Sequence, residues 1–261
     1  MRHKAYAKVN IFLKIVGTRG DYHEIISRFV LHKNLFDELY FAEKKSDEEF
    51  ELVGDFACPL FQNTIYKAYE ALKQAGFGEE ISQLFQKKAL HVEKNIPSFA
   101  GLGGGSSDAA SFLHMVNCEA NLNLSDTKLA SIGLGVGADV PFFVYNYDSA
   151  NVAGIGEIVE KFDEKSLSVE VITPDIKCDT GTIYRAFRKE YKIDIKIAKQ
   201  MSKMKSEELL KTYTDLELND LLRPALKTDK NLENYRKENW FFSGSGSSFF
   251  RNINRSSHTL K

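Results

Sequence analysis

The N-terminal stretch over residues 5–17 alternates strictly between two sets of side chains. One set is apolar and consists of Ala7, Val9, Ile11, Leu13 and Ile15. The other set consists of Lys8, Asn10, Phe12 and Lys14. A period of two places each set on one face of a β-strand. The second face is therefore either a solvated edge or, because it carries Lys8 and Asn10 side by side, the wall of a site.

The rest of the chain alternates between strand-like and helix-like patterns. Strands are predicted at about 24–32, 35–42, 50–53, 88–93, 140–145, 151–162, 168–173 and 240–248. Helices are predicted over 65–75, 106–120, 126–134 and 180–190, with another beginning at Asn219. The lysine-rich stretch 191–211 is loosely helical, and we expect its charges to be a solvated helix face. This mixture predicts an α+β fold. A pause in the pattern near residues 148–150 predicts two domains, 1–150 and 151–261.

A glycine-rich loop lies between a predicted strand and a predicted helix. Four of the 17 glycines fall within five residues, at Gly101, Gly103, Gly104 and Gly105. Glycine tolerates positive φ and allows a ligand to approach the backbone closely. We expect Ser106, Ser107 and Asp108 to cap the following helix, whose free N–H groups would bind an anion such as phosphate. The alternative is a flexible glycine linker.

Two better-known nucleotide loops do not fit this segment. A P-loop has Lys and then Ser or Thr after its last glycine, whereas Ser106 follows Gly105 directly. Ser106 also occupies the position of the last glycine in a G-x-G-x-x-G pattern. A second glycine run, 133–138, does fit G-x-G-x-x-A, but it follows a predicted helix and precedes a predicted strand. That order is the reverse of a dinucleotide fold, so we interpret the match as accidental.

Composition narrows the class of protein. The 261 residues are 43% hydrophobic and 27% charged, which is typical of globular proteins, and 35 basic residues nearly balance 36 acidic ones. We therefore expect no nucleic-acid or membrane partner. No apolar run approaches the roughly 18 residues of a membrane span, and the first residues lack the apolar core of a signal peptide. The three cysteines are far apart, which predicts reduced thiols in a cytoplasmic protein and no metal site built from them.

Three segments carry a resemblance to a known superfamily. The run P-S-F-A-G-L-G-G-G-S-S-D-A-A at 97–110 resembles the phosphate loop of the GHMP kinases, which include galactokinase, homoserine kinase and mevalonate kinase. Residues 7–13 resemble their first motif, and residues 242–250 resemble their third. The matches follow the superfamily's order and span residues 5 to 250. The chain departs from the pattern at Phe99, where relatives often carry small residues.

The loop and three further runs, 19–23, 137–143 and 154–158, are similar to one branch of that superfamily. Its substrate is a methylerythritol that carries a cytidine diphosphate group, in the non-mevalonate route to isoprenoids. The resemblance implies a kinase that transfers the γ-phosphate of ATP to the 2-hydroxyl of this small molecule. Two alternatives remain open: a GHMP kinase for a smaller alcohol such as homoserine or mevalonate, and a nucleotide-binding module that has lost catalysis.

The resemblance also implies a fold and a donor site. The fold is the two-domain GHMP kinase fold, with an N-terminal ribosomal-protein-S5-like domain and a C-terminal ferredoxin-like domain, and the site lies in the cleft between them. ATP would be bound by Pro97, Ser98, Phe99, Ala100, Gly101, Leu102, Gly103, Gly104, Gly105, Ser106 and Ser107. Asn63 matches a position near the adenine, although a role as helix N-cap explains it equally well.

Catalytic and acceptor residues follow from the same resemblance. Lys8 and Asp139 match the catalytic pair: Lys8 would hold the γ-phosphate or orient Asp139, which would accept or orient the attacking hydroxyl. An ordinary ion pair is the alternative. Asn10 would bind the methylerythritol hydroxyls, and cytosine would be recognised by Tyr22, His23 and Tyr184. Mg²⁺ is implied by ATP chemistry, with Ser107 a possible contact, while its other ligands and the oligomeric state are left open.

Overall fold

The computed structural model describes residues 2–190 and 193–253. The described strands are β1 (Arg2–Arg19), β2 (Tyr22–Glu43), β3 (Leu52–Val53), β4 (Lys88–Glu93), β5 (Ser149–Gly154), β6 (Ile158–Lys161), β7 (Val169–Ile172), β8 (Phe241–Phe242) and β9 (Phe249–Asn252). The described α-helices are α1 (Thr64–Leu72), α2 (Gly78–Phe85), α3 (Gly104–Glu119), α4 (Asp126–Leu134), α5 (Val140–Tyr145), α6 (Thr180–Glu190), α7 (Ile195–Met201), α8 (Ser206–Thr212), α9 (Asp215–Leu218) and α10 (Leu222–Thr228).

The chain forms two compact units, neither of which is continuous in sequence. The first takes the described parts of Met1–Ala7, Lys33–Ser98 and Gly103–Asn146, and the second those of Lys8–His32, Phe99–Leu102 and Tyr147–Lys261. Both β1 and β2, which pair with each other, contribute residues to both units. The domain boundary expected between residues 150 and 151 stays a prediction.

The first unit packs helices against one part of a sheet. The C-terminal part of β2 runs antiparallel to β4, with Glu38 opposite Glu93, and β3 lies parallel to β4. Aromatic rings fill the space between sheet and helices. Phe50 lies 4.5 Å from Tyr69 and 4.7 Å from Phe85, measured between ring centroids, and Phe112 of α3 joins the same cluster. All four side chains are buried, so this cluster anchors the helix that leaves the glycine loop.

The second unit contains the other part of that sheet and a small sheet of its own. The N-terminal part of β2 runs antiparallel to β5, which in turn pairs with β6. The small sheet has the order β7-β9-β8, with all pairs antiparallel. A core that includes Ile15, Phe187, Leu222, Phe242 and Phe249 joins this sheet to helices α6 and α10. The end of β1 and the strand β8 are thereby held in one packed core.

Several predicted elements are confirmed and others are wrong. The predicted strand 88–93 and helices 126–134 and 180–190 are β4, α4 and α6. The strands expected at 24–32 and 35–42 are the single strand β2. Of the expected strand 240–248, only β8 is a strand, and a turn then leads into β9, which begins at Phe249. The helix expected to begin at Asn219 begins at Leu222 as α10, and the short α9 before it was missed. The first two residues of the lysine-rich segment, Tyr191 and Lys192, lie outside the described residues; within the rest of it, α7 and α8 are helices.

Two findings concern the residues of the candidate site, and the first of them corrects a prediction. Residues 140–145, expected to be a strand, form α5, whose second residue is Pro141, a position where proline fits a helix start. Five of its six residues are buried, and periodicity cannot distinguish a short, continuously buried run from a strand. Residues 7–15 of β1 are buried on both faces, so its second face is not a solvated edge. Lys8 and Asn10 therefore lie in the protein interior and need partners there.

Candidate active site

The glycine loop changes direction through three residues with positive φ. These are Phe99 (57°), Gly101 (73°) and Gly103 (74°). The helix α3 begins at Gly104, two residues earlier than expected, and its N-cap is Gly103 with no side-chain cap. The expectation that Ser106, Ser107 and Asp108 cap this helix is therefore wrong, because they lie inside its first two turns. The first N–H groups of the helix have no partner within it, and they lie at the positive end of the helix dipole.

Two glycines of the loop lie too close to neighbouring atoms for a larger residue. A Cβ on Gly101 would come within 2.2 Å of the Ser243 carbonyl oxygen, and one on Gly104 within 2.9 Å of the Ile96 side chain. Thr64 donates a hydrogen bond from Oγ1 to the Gly105 carbonyl at 2.6 Å. These close approaches fix the path of the backbone at both ends of the glycine run.

A buried ionic cluster, formed by Asp37, Lys94 and Asp108, lies at the base of α3. The Lys94 ammonium donates to Asp108 at 2.6 Å and also to Asp37. Asp37 accepts the backbone N–H groups of Asn95 at 2.5 Å and Ile96 at 2.8 Å, so it anchors the chain that enters the loop. Burial raises the pKa of Asp108 to about 7, with Lys94 opposing the rise and Asp37 adding to it.

Lys8 is 3% exposed and surrounded by oxygen atoms and one aromatic face. Its Nζ donates to Asn10 Oδ1 at 2.6 Å and to the Gly101 carbonyl at 3.1 Å, and it lies 4.7 Å from the centre of the Phe29 ring. The Lys8 backbone N–H donates to the Leu102 carbonyl at 2.9 Å. The first motif is thus bonded to the glycine loop through both the backbone and the side chain of Lys8.

The side-chain amide of Asn10 is bonded within the protein through both its oxygen and its nitrogen. Its Oδ1 accepts from Lys8, and its Nδ2 donates to Ser27 Oγ at 3.0 Å. Ser27 in turn donates to the Phe12 carbonyl. This arrangement fixes the amide so that its oxygen faces Lys8. An oxygen of this kind has room for a second donor, which is the capacity that the expected bond to a substrate hydroxyl requires.

Asp139 is the N-cap residue of α5 and is half-buried. Helix packing sets its place: Val140 lies against Gly133 of α4, where a Cβ would come within 2.5 Å of it. The α-carbon of Gly137 faces Ser106, since a Cβ there would lie 3.7 Å from the Ser106 hydroxyl. The turn that carries Asp139 therefore passes the first turn of α3. The glycine run 133–138 connects helix α4 to helix α5. A dinucleotide-binding fingerprint instead connects a strand to a helix, so this run is not one.

Asn63 acts as the N-cap of α1, because its Oδ1 accepts the Ile65 N–H at 2.8 Å. The alternative role that the sequence allowed for Asn63 is therefore confirmed, and a contact with adenine stays a prediction. Elsewhere in the expected donor site, Pro97, Ser98 and Phe99 are exposed. Ala100, Leu102 and Ser107 are buried.

The structure brings two of the three residues expected at cytosine together. The ring centroids of His23 and Tyr184 are 5.1 Å apart, and Phe187 lies edge-on to His23 at 6.4 Å. His23 Nε2 is buried without a hydrogen-bond partner among the described residues. Burial, assisted by the Arg188 charge, lowers the pKa of His23, so its imidazole is neutral at pH 7. Tyr22, the third, is 63% exposed.

Several residues of the site escaped sequence reasoning. Asp37, Lys94, Ser27 and Phe29 belong to no motif that the sequence analysis identified, and Ser27 and Phe29 reach Asn10 or Lys8 only through the fold. Ser243 lies in the third motif, but its bond to Gly101 was not predicted. The available signal was the polar face of β1, since buried polar groups require partners. Lys8 and Asp139 belong to different units, and their pairing stays a prediction.

Two features of the described residues bear on metals and membranes. No group of three or more His, Cys, Asp or Glu side chains in residues 2–190 and 193–253 could hold a metal ion. Within the same part of the chain, no helix combines the length and apolar character needed to cross a membrane.

The chain is similar to proteins of one family. The profile of the GHMP kinases N terminal domain matches residues 63–147. A 4-diphosphocytidyl-2-C-methyl-D-erythritol kinase of Sulfurimonas denitrificans is 53% identical over 254 residues, covering 95% of this chain and 96% of that protein. A protein of the same name from Sulfurovum sp. is 48% identical, covering 95% and 97%. The crystal structure of a 4-(cytidine 5'-diphospho)-2C-methyl-D-erythritol kinase superposes with a TM-score of 0.70 at 29% identity, covering 97% of this chain and 90% of that chain.

Proposed function

Because the chain belongs to the 4-diphosphocytidyl-2-C-methyl-D-erythritol kinase family of the GHMP kinases, we propose that it phosphorylates that compound with ATP. The chain is thus a small-molecule kinase with the α+β GHMP kinase fold. The phosphate goes to the 2-hydroxyl, giving the 2-phosphate and ADP, in the non-mevalonate route to isoprenoids. The observation that carries the donor half of this proposal is the start of α3. Two glycines with positive φ lead into a helix whose first N–H groups have no side-chain cap.

The ATP phosphates lie along the loop from Pro97 to Ser107, with the β- and γ-phosphates at the N-terminus of α3. In this arrangement backbone N–H groups and the helix dipole hold the polyphosphate, so no P-loop lysine is needed. Phe99, near the N-terminal end of the loop, has a φ of 57° and a side chain that is 51% exposed. Asn63 lies beside the adenine while its Oδ1 continues to cap α1.

Lys8 holds a γ-phosphate oxygen, and Asp139 orients the 2-hydroxyl and takes its proton. The tight bonds of Lys8 to Asn10 and Gly101 leave its ammonium fixed in direction, which suits a charge that must meet the transferring phosphoryl group. Phosphoryl transfer has a loose transition state, so a carboxylate of ordinary basicity suffices, provided that the hydroxyl is positioned in line.

Mg²⁺ accompanies ATP in this proposal. Mg²⁺ dehydrates reluctantly and is usually bound through substrate phosphates, so it would reach the site on the ATP phosphates and keep several waters. The Ser107 hydroxyl would be one contact for the ion, and its other ligands are left open. When bound, Mg²⁺ would neutralise the phosphate oxygens.

The cytidine part of the acceptor lies between Tyr22 and Tyr184, with the base edge on His23. A neutral imidazole with an unpartnered, buried Nε2 is suited to a hydrogen bond with the polar edge of cytosine. Asn10, through its fixed Oδ1, accepts from a methylerythritol hydroxyl.

Three further proposals concern the domain boundary, the location and the partners of the protein. The two domains divide between residues 150 and 151. The protein acts in the cytoplasm, as its three dispersed cysteines suggest. It needs neither nucleic acid nor a membrane as a partner. The oligomeric state is left open.

Coupled ADP release with a panel of alcohols tests the substrate. We expect turnover with 4-diphosphocytidyl-2-C-methyl-D-erythritol and none with homoserine, mevalonate or methylerythritol phosphate, which lacks cytidine. Lys8→Met, purified in the same way, controls for contaminating kinases. Turnover of an acceptor without cytidine would instead support a GHMP kinase for a smaller alcohol, and ATP binding without turnover of any acceptor would support a non-catalytic module.

A further inference from the structure

The buried side-chain amide of Asn219 lies outside the three kinase motifs. It is connected, through the turn that carries Ser243, to the Gly101 carbonyl oxygen that accepts a hydrogen bond from Lys8. We propose that Asn219 is a positioning residue for Lys8. Its side chain fixes the turn between β8 and β9, and this turn holds the Gly101 carbonyl through Ser243. The inference rests on the proposed catalytic role of Lys8, and all the residues involved belong to the second unit.

Asn219 is 2% exposed, and its side chain bonds on both sides of Ser243. Its Nδ2 donates to the Phe242 carbonyl at 3.0 Å and to the Gly244 carbonyl at 2.9 Å. Its Oδ1 accepts the Leu221 N–H at 2.9 Å. Both amide hydrogens and the amide oxygen are therefore used, and no other side chain of this size offers that combination.

Asn219 is itself attached to the strand that carries Lys8. It forms a parallel bridge with Leu13, and the neighbouring Asp220 N–H donates to the Leu13 carbonyl at 3.0 Å. The Asp220 carboxylate accepts the Ile15 N–H at 2.8 Å and pairs with the Lys14 ammonium. Strand β1 thus holds Asn219 through several bonds, so the amide has a fixed point from which to hold the turn.

Ser243, between the two carbonyls that Asn219 holds, contacts both halves of the Lys8 site. Its hydroxyl donates to the Gly101 carbonyl at 3.1 Å and accepts the Asn10 N–H at 3.2 Å. The same Gly101 carbonyl accepts from Lys8 Nζ at 3.1 Å. A Cβ on Gly101 would come within 2.2 Å of the Ser243 carbonyl, so the loop and the turn are in close contact. Movement of Ser243 must therefore move an oxygen that orients Lys8.

Loss of the Asn219 amide would leave two buried carbonyls without their donors and release the turn. A purely structural role would lower stability and leave the rate at saturating substrate unchanged at temperatures where the variant is folded. A positioning role lowers kcat through Lys8, since a shift of about 1 Å can cost about 100-fold in rate. The two roles are thus separable by kinetics.

The first experiment measures kcat and both KM values for Asn219→Ala at a temperature well below its melting midpoint. We expect kcat to fall about 10- to 100-fold, with KM for the cytidine substrate within about 3-fold of the parent. The control is Asn151→Ala, which removes a comparable amide that donates to the Ser202 carbonyl at 3.0 Å in the same unit. Its kcat should stay unchanged although its stability falls. An unchanged kcat in Asn219→Ala would overturn the inference.

The second experiment repeats Asn219→Ala in a Lys8→Met background. If Asn219 acts through Lys8, the second substitution should lower the residual kcat by less than about 2-fold, because the losses share one cause. Equal fold-losses in both backgrounds would overturn the inference and leave the proposed function standing. Full activity of Lys8→Met alone would overturn the proposed role of Lys8 and this inference with it. If Asn219→Ala fails to fold, Ser243→Ala replaces it in both the parent and the Lys8→Met backgrounds. That variant removes the hydroxyl that donates to the Gly101 carbonyl, and the same outcomes decide.

Discussion

The Lys8 ammonium donates a hydrogen bond to the carbonyl oxygen of Gly101, 93 residues further along the chain, at 3.1 Å. Gly101 offers this oxygen because its φ of 73° turns the loop, a conformation that glycine adopts without strain. The carbonyl also receives the Ser243 hydroxyl. One peptide oxygen thus connects the first motif, the glycine loop and the third motif.

Gly101→Ala should therefore damage activity as well as stability. The new Cβ would meet the Ser243 carbonyl at 2.2 Å, so the loop or the turn must move. Gly76→Ala is the matched control, because Gly76 also has positive φ (98°) but nothing lies within 4 Å of the added atom. We expect Gly76→Ala to cost about 1–2 kcal/mol of unfolding free energy, the strain alone, and to keep its kcat.

For Gly101→Ala we expect a larger loss of stability and a kcat reduced by at least about 10-fold. Chemical denaturation and steady-state kinetics measure the two effects. Equal behaviour of the two variants would show that the contact between Gly101 and Ser243 has no part in organising the site.

Asp139→Asn should abolish most turnover and leave nucleotide binding nearly intact. The amide keeps the size of the carboxylate but cannot take the proton of the hydroxyl, so we expect kcat to fall by about 100-fold or more. Titration calorimetry with a non-hydrolysable ATP analogue should give a Kd within about 3-fold of the parent. Asp126→Asn, at the exposed start of α4, is the control. A variant that loses ATP affinity but keeps its saturated rate would remove Asp139 from the chemistry.

Tyr22→Ala should weaken the acceptor selectively. Tyr22 is 63% exposed, so its removal costs little stability, and its ring is available to stack on cytosine. We expect KM for the cytidine substrate to rise about 10-fold, since a base–aromatic stack contributes about 1–3 kcal/mol. KM for ATP should stay within about 2-fold, and Tyr22→Phe, which keeps the ring, should behave as the parent. Equal rises in both KM values would place Tyr22 outside the cytosine site.

Asp108→Asn should alter how stability depends on pH. Asp108 has an ordinary pKa of 3.8 when unfolded and a pKa of about 7 when folded. Between these values the folded state holds the extra proton, so this group makes the unfolding free energy fall as pH rises from about 4 to 7. The groups that face it are Lys94 and Asp37.

The asparagine variant lacks that titration. Relative to the parent, it should gain stability progressively across the same window, by up to about 4 kcal/mol, since one pKa unit corresponds to about 1.4 kcal/mol. Denaturation midpoints at pH 4.5, 6 and 7.5 measure the difference. A stability difference that is constant over this range would contradict the raised pKa of Asp108.

The resemblance to the GHMP kinases implied the kinase fold, whereas much of the secondary structure was predictable because the relevant signals are local. The alternation in β1, the Ser125 cap of α4 and the clustered glycines each depend on neighbours in the chain. Helix α5 was missed for the same reason. Residues 140–145 form a short apolar run whose surroundings, and not its period, decide between strand and helix.

The partners of the candidate residues could not be predicted. Lys8 was recognisable from its motif, whereas its bond to Gly101 and its contact with Phe29 depend on tertiary packing. Asp108 was expected to cap α3, since Asp is common at helix starts. The cap is Gly103, which leaves Asp108 inside the helix, paired with Lys94. Neither contact has a signature in sequence spacing.

The position of the transferred phosphate tests the central claim most directly. Phosphorus NMR of the product from ATP and 4-diphosphocytidyl-2-C-methyl-D-erythritol should show a new phosphomonoester beside the intact diphosphate of the cytidine part. Because C2 carries the methyl group and no hydrogen, a 2-phosphate gives a resonance without proton splitting, and the methyl carbon is split by phosphorus. A doublet from a secondary alcohol, a triplet from a primary alcohol, or the absence of any new ester would contradict the account.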